Sequence, residues 1–289
     1  MKTVGGFTSE KARARFLTAY GQALDRRWPD RTAADVPTTF GTTRVHTCGP
    51  AGATPVVLLP GAGGNALMWH RYVAELGRHR RVIAIDPVGD PGGSTQDRPI
   101  DGPEHLTQWL GEVLTALGIG RAHLIGCSYG GWTALRYALR DPAAVASLTL
   151  LDPAGFGKVT GRFIAWVVLG GLAGMGPRPL RHRAAGRLRN ATLRDDDLMG
   201  LATAMMGFRR RLPVPPPLTD EELREVGVPM LVLLGERGQL YDAAEVARRI
   251  RTLTGAEVEV VPGAGHDLPM SCPDRILDRA GAFMDGVAA

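Results

Sequence analysis

The stretch that decides the fold is residues 122–139, AHLIGCSYGGWTALRYAL, in which an apolar run meets a helical pattern at a serine. The run that ends at Gly126 is typical of a buried strand, and the residues from Gly130 onward are compatible with a helix. Between them, G-C-S-Y-G matches the pattern G-x-S-x-G. A serine at such a corner adopts a strained backbone and exposes its hydroxyl, and small flanking residues leave room for it. Ser128 is therefore the candidate nucleophile.

Apolar runs and helical segments alternate along most of the chain. Six apolar runs bounded by glycine or proline predict strands that are buried on both faces. They end at Pro60, Asp86, Gly126, Asp152, Gly235 and Gly263. The helix-compatible segments between them include residues 66–76, 104–117, 130–139 and 243–253. This alternation predicts an α/β fold with a doubly wound, mostly parallel sheet.

Two segments lie outside the alternation. Apolar residues at helical spacing predict an amphipathic helix over residues 8–28, within an N-terminal extension, residues 1–30, that packs on the core. Residues 156–222 contain apolar helical stretches, arginines and a proline run, and we expect them to form a helical cap. The core would then consist of residues 1–155 and 223–289. Open α/β sheets bind ligands at the C-terminal ends of their strands, where the cap would lie. A helical insertion without a role in substrate binding is the alternative.

A histidine and a glycine-rich loop complete the candidate site. His266 lies in VPGAGHDLP, in a loop after the last predicted strand, and follows Ser128 in the expected chain order. The other six histidines lack this placement, although a surface-loop histidine is the alternative for His266. The loop Pro60–Gly64 follows the first buried strand, where G-x-S-x-G enzymes supply one oxyanion-binding amide, and the residue after the nucleophile supplies another. We assign these amides to Ala62 and Tyr129.

With these residues in place, the chain resembles the α/β-hydrolase superfamily, and especially bacterial carboxylesterases that have an N-terminal helix. The resemblance spans nearly the whole chain and is carried by VPTTFGTTRVH, LLPGAGGNALMW, IDPVGDPGGST and GCSYGGW. It implies an α/β-hydrolase fold and a serine esterase. Two positions depart from the pattern. Pro60 stands where relatives often have histidine, and Gly238 stands where they usually have the aspartate of the site.

The identity of the carboxylate that would orient His266 is therefore open, because a glycine at position 238 cannot supply one. Three carboxylates are candidates: Asp152 after the strand that follows the elbow helix, and Glu236 and Asp242 on either side of the usual position. Some haloalkane dehalogenases, which share this fold, place their acid after the earlier strand, and this favours Asp152. Many relatives carry a similar LLDP whose aspartate only caps a turn. Asp152 is our predicted acid, Glu236 and Asp242 are the alternatives, and a site without an acid is the last possibility.

The predicted chemistry is acyl transfer. His266 would deprotonate Ser128, the serine would attack an ester carbonyl, and the amides of Ala62 and Tyr129 would hold the oxyanion. Water would then resolve the acyl-enzyme, without any metal or organic cofactor. Apolar cap residues indicate a small apolar or ring-bearing ester, although helix packing would produce the same spacing. They are Phe163, Trp166, Leu169, Met175, Met205, Met206 and Phe208.

Two other functions fit parts of the pattern. A lyase or cyclase of natural-product biosynthesis, or a ligand-binding protein with a degenerate triad, would explain the missing acid at Gly238. A dinucleotide enzyme would explain residues 61–66, GAGGNA, which fit G-x-G-x-x-A and precede Asp86 by about 20 residues. That second interpretation leaves Ser128 and His266 unexplained, and the oxyanion loop already accounts for the glycines.

Composition limits the partners and the compartment. The chain has 289 residues, 44% apolar and 22% charged, as in soluble globular proteins. Its net charge of +5 comes from scattered arginines without a nucleic-acid-binding motif, so we expect no nucleic acid. Three separated cysteines and the lack of a signal peptide indicate the cytoplasm. The longest apolar stretch, Phe163 to Met175, is shorter than the roughly 20 residues that cross a bilayer, so we expect no membrane. A small-molecule substrate is the expected partner, and a homodimer is left open.

Overall fold

The computed structural model describes residues 4–288, and within that range the secondary structure has the following bounds. The strands are β1 (Gly6–Phe7), β2 (Thr32–Thr38), β3 (Gly41–Cys48), β4 (Val56–Leu59), β5 (Val82–Ile85), β6 (Ala122–Cys127), β7 (Val145–Leu151), β8 (Phe208–Arg209), β9 (Met230–Gly235) and β10 (Glu257–Val261). The helices are α1 (Glu10–Arg27), α2 (Val73–Leu76), α3 (Pro103–Ala116), α4 (Tyr129–Arg140), α5 (Gly161–Gly174), α6 (Arg178–Leu188), α7 (Asp196–Met205), α8 (Asp220–Arg224), α9 (Ala243–Leu253), α10 (Leu268–Ser271) and α11 (Pro273–Ala288). Short 3₁₀ turns cover Ala66–Trp69, Pro142–Ala144 and Ala191–Arg194.

Eight of the strands form one sheet in the order β10-β9-β7-β6-β4-β5-β3-β2. The strands from β10 to β5 pair in parallel, whereas β3 pairs antiparallel with both β5 and β2. One apolar cluster packs on each face of the sheet. The predicted mostly parallel sheet is confirmed. Because the strands are parallel, the loops after β4, β6, β7, β9 and β10 all meet at one edge.

The edges of the sheet differ from the sequence expectation. The hairpin β2–β3 was not predicted, because its sequences, TAADVPT and GTTRVHTC, contain no continuous apolar run, and β2 is exposed at most positions. At the other edge, the prediction that the last strand is buried on both faces is wrong. Glu257 is exposed and the next three residues are half-buried, since β10 has only one neighbouring strand.

The segment predicted as one helix over residues 66–76 is divided into a 3₁₀ turn and the short helix α2. The backbone N–H groups of Met68, His70 and Tyr72 each donate to a carbonyl three residues earlier. This tighter winding places side chains at every third position on one side. Trp69 and Tyr72 are both buried in this way.

The N-terminal helix is confirmed as α1, which begins after the capping residue Ser9. It packs on the core, where the Tyr20 hydroxyl donates to Asp86 Oδ1 over 2.7 Å. It also contacts α7, since Arg26 and Arg27 pair with Asp197 at 2.6 and 2.5 Å. The strand β1 pairs with β8, at the end of the segment that carries α5, α6 and α7. The N-terminal extension thus braces the inserted helices as well as the core.

No helix within residues 4–288 combines the length and the apolar character needed to cross a membrane.

Candidate active site

Ser128 lies between β6 and α4 in a strained conformation. Its φ and ψ angles are 49° and −112°, in a region that residues other than glycine rarely adopt. The backbone N–H of Ser128 donates to Leu151 O over 3.0 Å, and its carbonyl accepts from the N–H groups of Trp132 and Ala154 at 3.1 and 3.0 Å. Hydrogen bonds to two neighbouring segments therefore hold this corner in place.

The glycines of G-x-S-x-G allow close packing of backbone at this corner. A Cβ atom on Gly130 would lie 2.2 Å from Leu59 O, and one on Gly126 would lie 2.5 Å from Gly130 O. Both distances are well below van der Waals contact. A larger residue at position 130 would push the turn away from β4, and one at position 126 would push β6 away from the start of α4, which explains why the motif requires glycine on both sides of Ser128.

His266 reaches Ser128 from the loop after β10. Its Nε2 atom lies 3.2 Å from Ser128 Oγ. The backbone N–H of His266 donates to Gln239 Oε1 over 3.3 Å, which ties this loop to the one after β9. The imidazole is buried beneath the aromatic rings of Phe163 and Trp166, whose centroids lie 4.9 and 5.8 Å from its own.

Asp152 contacts the other nitrogen of this imidazole. Its Oδ2 lies 2.5 Å from His266 Nδ1, and its Oδ1 accepts from the backbone N–H of Gly235 over 3.2 Å. The carboxylate is fully buried, and the residue has a φ of 42°, which aspartate tolerates better than most residues. With the Nδ1 proton directed at Asp152, Nε2 is free to accept the proton of Ser128.

The two alternative acids do not contact His266. Glu236 Oε2 accepts from the backbone N–H of Gly263 over 2.8 Å, and half of its side chain is exposed. Asp242 Oδ1 accepts from the N–H of Glu245 over 2.9 Å and so caps α9. Both carboxylates are therefore engaged in local turns.

Gly238 and Asp152 converge on one location. A Cβ atom on Gly238 would lie 3.4 and 3.5 Å from the two carboxylate oxygens of Asp152. The side chain of Asp152 therefore occupies the space that a side chain at the usual acid position would enter. The carboxylate is thus not lost from this site, because it comes from the end of β7 and not from the loop after β9.

The glycine-rich loop and the first residue of α4 flank the nucleophile. A Cβ atom on Gly61 would lie only 3.5 Å from Ser128 Cβ, so the loop passes directly beside the serine. Among residues 4–288, no acceptor is found for the backbone N–H of Ala62 or of Tyr129. Two unpaired amides beside a candidate nucleophile, one of them at a helix N-terminus, provide donors for an oxyanion.

A buried carboxylate, which no sequence motif indicated, links the glycine-rich loop to the side chain of Tyr129 through Arg210. Asp90 Oδ1 accepts from Gly63 N over 3.0 Å and from Arg210 Nε over 2.6 Å. The Arg210 guanidinium carbon lies 4.4 Å from the centre of the Tyr129 ring, within cation–π range. Burial raises the pKa of Asp90, although Arg210 opposes this shift. No sequence signal connects residues 120 positions apart, although Asp90 lies in IDPVGDPGGST, one of the stretches that resemble the bacterial carboxylesterases.

The neighbouring thiol of Cys127 is not a competing nucleophile. The residue is buried, and burial raises the pKa of its thiol, with the charges of Asp152 and Asp267 adding to the shift. A thiol that stays protonated is a poor nucleophile. Ser128 therefore stays the candidate nucleophile at this corner.

An apolar cavity of about 510 Å³ opens above Ser128 and His266. Its lining includes Met68, Phe163, Trp166, Val167, Leu198 and Met205. Of the cap residues proposed from sequence, Phe163, Trp166 and Met205 line this cavity, whereas Leu169, Met175 and Met206 are exposed on the outside. Phe208 packs on the ring of Phe7 at 4.9 Å.

The residues of the dinucleotide interpretation have structural roles. Asp86 is fully buried and accepts from the Tyr20 hydroxyl, Ala66 N and Gly93 N, at 2.7, 2.8 and 2.7 Å. These partners occupy both carboxylate oxygens, so neither is directed at a ribose. Within residues 4–288, no group of three or more His, Cys, Asp or Glu side chains could hold a metal ion.

Comparison with known proteins agrees with this architecture. A model of the alpha/beta hydrolase family matches residues 56–279. The chain belongs to the α/β-hydrolase family. Two Bacillus subtilis proteins are similar over nearly its full length: carboxylesterase YbfK, 28% identical over 97% of each chain, and the uncharacterized carboxylesterase nap, 30% identical over 94% of this chain and 92% of that one.

Solved structures of B. subtilis esterases are similar in fold. The naproxen esterase, carboxylesterase NP, has a TM-score of 0.82 at 30% identity and covers 93% of this chain and 97% of its own. Carboxylesterase CesB (YbfK) has a TM-score of 0.84 at 27% identity and covers 96% and 99%. The resemblance inferred from sequence is confirmed.

Proposed function

We propose that this protein is a serine esterase that hydrolyses carboxylic esters of small apolar molecules through an acyl-enzyme. The observation that carries the proposal is the continuous contact from Asp152 to His266 to Ser128, at 2.5 and 3.2 Å, at the base of an apolar cavity. The similarity to bacterial carboxylesterases over nearly the whole chain supports the same reaction.

Acylation begins when the Ser128 hydroxyl transfers its proton to His266 Nε2. Oγ attacks the ester carbonyl carbon, and the resulting oxyanion accepts hydrogen bonds from the N–H groups of Ala62 and Tyr129. The buried carboxylate of Asp152 stabilises the imidazolium and holds its orientation. The tetrahedral intermediate then collapses, the bond to the alcohol oxygen breaks, and His266 returns the proton to the leaving alcohol.

Deacylation repeats these steps with water. His266 Nε2 accepts a proton from water, the hydroxyl oxygen attacks the acyl carbon, and the same two amides hold the oxyanion. Collapse breaks the bond to Oγ, which receives the proton back from His266, and the carboxylic acid leaves. Every proton moves between Oγ, Nε2 and the reacting oxygens, so Ser128, His266, Asp152 and the two amides complete the cycle.

The cavity suggests the substrate class. Its apolar lining and the rings of Phe163 and Trp166 favour an acyl or alcohol group that is apolar and ring-bearing. A similar B. subtilis protein is named a naproxen esterase, so aryl-substituted acids belong among the first esters to test.

The non-hydrolytic alternatives lose their main support. A lyase, a cyclase or a ligand-binding protein was favoured by the missing acid at Gly238, and Asp152 provides a carboxylate in contact with His266. A cytoplasmic location and a homodimer are kept as proposals. Cell fractionation tests the first, and light scattering on the purified protein tests the second.

The experiment is a panel of p-nitrophenyl and aryl esters of increasing acyl size, assayed with the wild type and Ser128→Ala prepared in parallel. We expect saturable turnover of apolar esters by the wild type and its loss in the variant, because Oγ forms the acyl bond. Turnover that is equal in the two proteins, or absent with every ester, would contradict the proposal.

A further inference from the structure

The cap helix α5 is apolar on both of its faces. Its inner face covers the cavity and His266 through Phe163 and Trp166. Its outer face carries Ile164, Val168 and Leu172, which follow one another at four-residue intervals and therefore lie in one stripe. The inner face is explained by the active site, whereas the side chains of the outer face are more than half exposed.

The outer stripe belongs to an unusual concentration of exposed apolar side chains. Ile164, Val168 and Leu172 are 60%, 54% and 58% exposed, and Met175 at the end of the helix is 59% exposed. Eight of the eleven large apolar side chains that are exposed within residues 4–288 lie between residues 159 and 180. Contiguous exposed apolar patches of this kind mark interaction surfaces.

Basic residues are concentrated in the same segment as this patch. Residues 156–194 contain eight lysines and arginines and no aspartate or glutamate. Lys158, Arg162, Arg183 and Arg187 are exposed, and no ion pair is found for any of them among residues 4–288. The segment that carries the apolar face therefore also carries exposed positive charge without an ion-pair partner.

We propose that the outer face of α5, together with these basic residues, docks on an anionic phospholipid surface. Apolar side chains enter the boundary between headgroups and acyl chains, and arginines contact the lipid phosphates. A second copy of the chain fits less well, since it would bring two clusters of unpaired cations together. The sequence expectation of no membrane depended on the absence of a spanning segment, and surface docking needs none.

Docking would also define where substrate comes from. The helix that meets the lipid on one side covers His266 on the other, so the cavity would lie directly beneath the face that docks on the bilayer. Apolar esters that partition into lipid are then concentrated at the cap. This consequence rests on the proposed esterase function, whereas the docking itself does not.

Vesicle co-sedimentation tests the docking without any turnover. The protein carries Ser128→Ala and is mixed with phosphatidylcholine vesicles with or without phosphatidylglycerol. We expect binding to the mixed vesicles and little to phosphatidylcholine alone. Adding Arg183→Gln and Arg187→Gln should weaken binding roughly 30-fold, because each arginine near an anionic surface contributes about a factor of five. Adding Val168→Ser and Leu172→Ser should weaken it about tenfold or more.

Two control variants match these changes elsewhere. Val214→Ser removes a side chain that lies outside α5 and α6 and is 79% exposed. Arg121→Gln removes an exposed charge directly before β6, at the N-terminal ends of the parallel strands. Both should bind like the parent protein. In the background that retains Ser128, all of these variants should hydrolyse soluble esters normally, since none of the residues lines the cavity.

Several results would overturn the docking surface. The absence of binding to anionic vesicles would do so, as would binding that the α5 substitutions leave unchanged. Loss on removing the arginines without loss on removing Val168 and Leu172 would indicate nonspecific charge attraction. A dimer in light scattering that Leu172→Ser dissociates would assign the face to a second copy of the chain.

Discussion

The core and the cap both contact His266, but they do so in different ways. The core side is polar and fixed, since Asp152 and Ser128 hold the two ring nitrogens and backbone hydrogen bonds hold both residues. The cap side consists of the rings of Phe163 and Trp166, and their contacts with the imidazole are those of aromatic rings. The difference separates two tasks. We propose that bond making and breaking belong to the core, and that the choice of substrate belongs to the cap.

The largest effect should come from the nucleophile and its base. Ser128→Ala and His266→Ala should each lower kcat by up to about 10⁶-fold, because either loss stops the same proton transfer and attack. The double variant should be little worse than either single one, since the residues act as a unit. Steady-state kinetics on one p-nitrophenyl ester measures all three. Losses that multiply would show that His266 acts elsewhere, and would break the separation between core and cap.

Replacing the acid should have the next largest effect. Asp152→Asn should lower kcat by about 10⁴-fold with KM little changed, because the imidazole loses the charge that stabilises it in the transition state. Glu236→Gln and Asp242→Asn serve as controls and should stay near the wild type. A collapse of either control with a near-normal Asp152→Asn would assign the acid to the loop after β9.

The convergence of Gly238 and Asp152 sharpens this test. Asp152→Gly should be nearly inactive but well folded, since glycine accepts the φ of 42° at this position. Adding Gly238→Asp should restore part of the activity, because a side chain at 238 would enter the space that the carboxylate left. A double variant, Asp152→Gly with Gly238→Asp, that folds but regains no activity would show that a carboxylate at position 238 cannot reach His266.

The cap should affect binding more than chemistry. Phe163→Ala should raise KM for apolar esters roughly ten- to hundredfold with a much smaller change in kcat, because a buried aromatic contact is lost equally from substrate and transition state. Ile164→Ala, on the outer face of the same helix, is the matched control and should leave KM unchanged. A kcat effect of Phe163→Ala that exceeds its KM effect would place part of the chemistry in the cap.

The smallest effect concerns a contact between the two regions. Asp267 follows His266 and accepts a hydrogen bond from Ala191 N in the cap, and burial raises its pKa to about 6. A folded-state pKa above the unfolded value gives a stability contribution that is complete below about pH 4 and lost as pH rises through about 6. The side chain of Asp267→Asn stays neutral at every pH, so the variant should not lose this contribution as the pH rises. The free energy of unfolding of the variant relative to the wild type should therefore rise by up to roughly 2 kcal/mol between pH 4 and 7. Tm measured across this pH range should rise in the same direction. A constant difference would contradict the shift.

Sequence reasoning was most informative where local patterns carry the information. The parallel strands were predictable because most of them are continuous apolar runs, and Ser128, His266 and Asp152 were proposed because each follows a predicted strand. The structure brings the three residues into contact, and their catalytic roles stay predictions. The acid was ambiguous in sequence because only the fold shows that Asp152 and Gly238 share one location.

Other features depend on tertiary structure. The β2–β3 hairpin has no apolar run. It joins the sheet because β3 pairs with the free edge of β5, and the hairpin's own sequence does not reveal this long-range contact. The link from Asp90 to Arg210 joins two loops that have no common motif. Apolar spacing along α5 could not separate the face toward His266 from the exposed one, because both faces are apolar.

The central claim is that Ser128 is a nucleophile activated by His266, and labelling with a serine-directed fluorophosphonate tests it most directly. Intact mass and peptide mapping should show one adduct per chain, on Ser128. Labelling should be absent in Ser128→Ala and strongly slowed in His266→Ala, since the hydroxyl then lacks its base. An adduct on another residue, or a labelling rate that is unchanged in His266→Ala, would contradict the account.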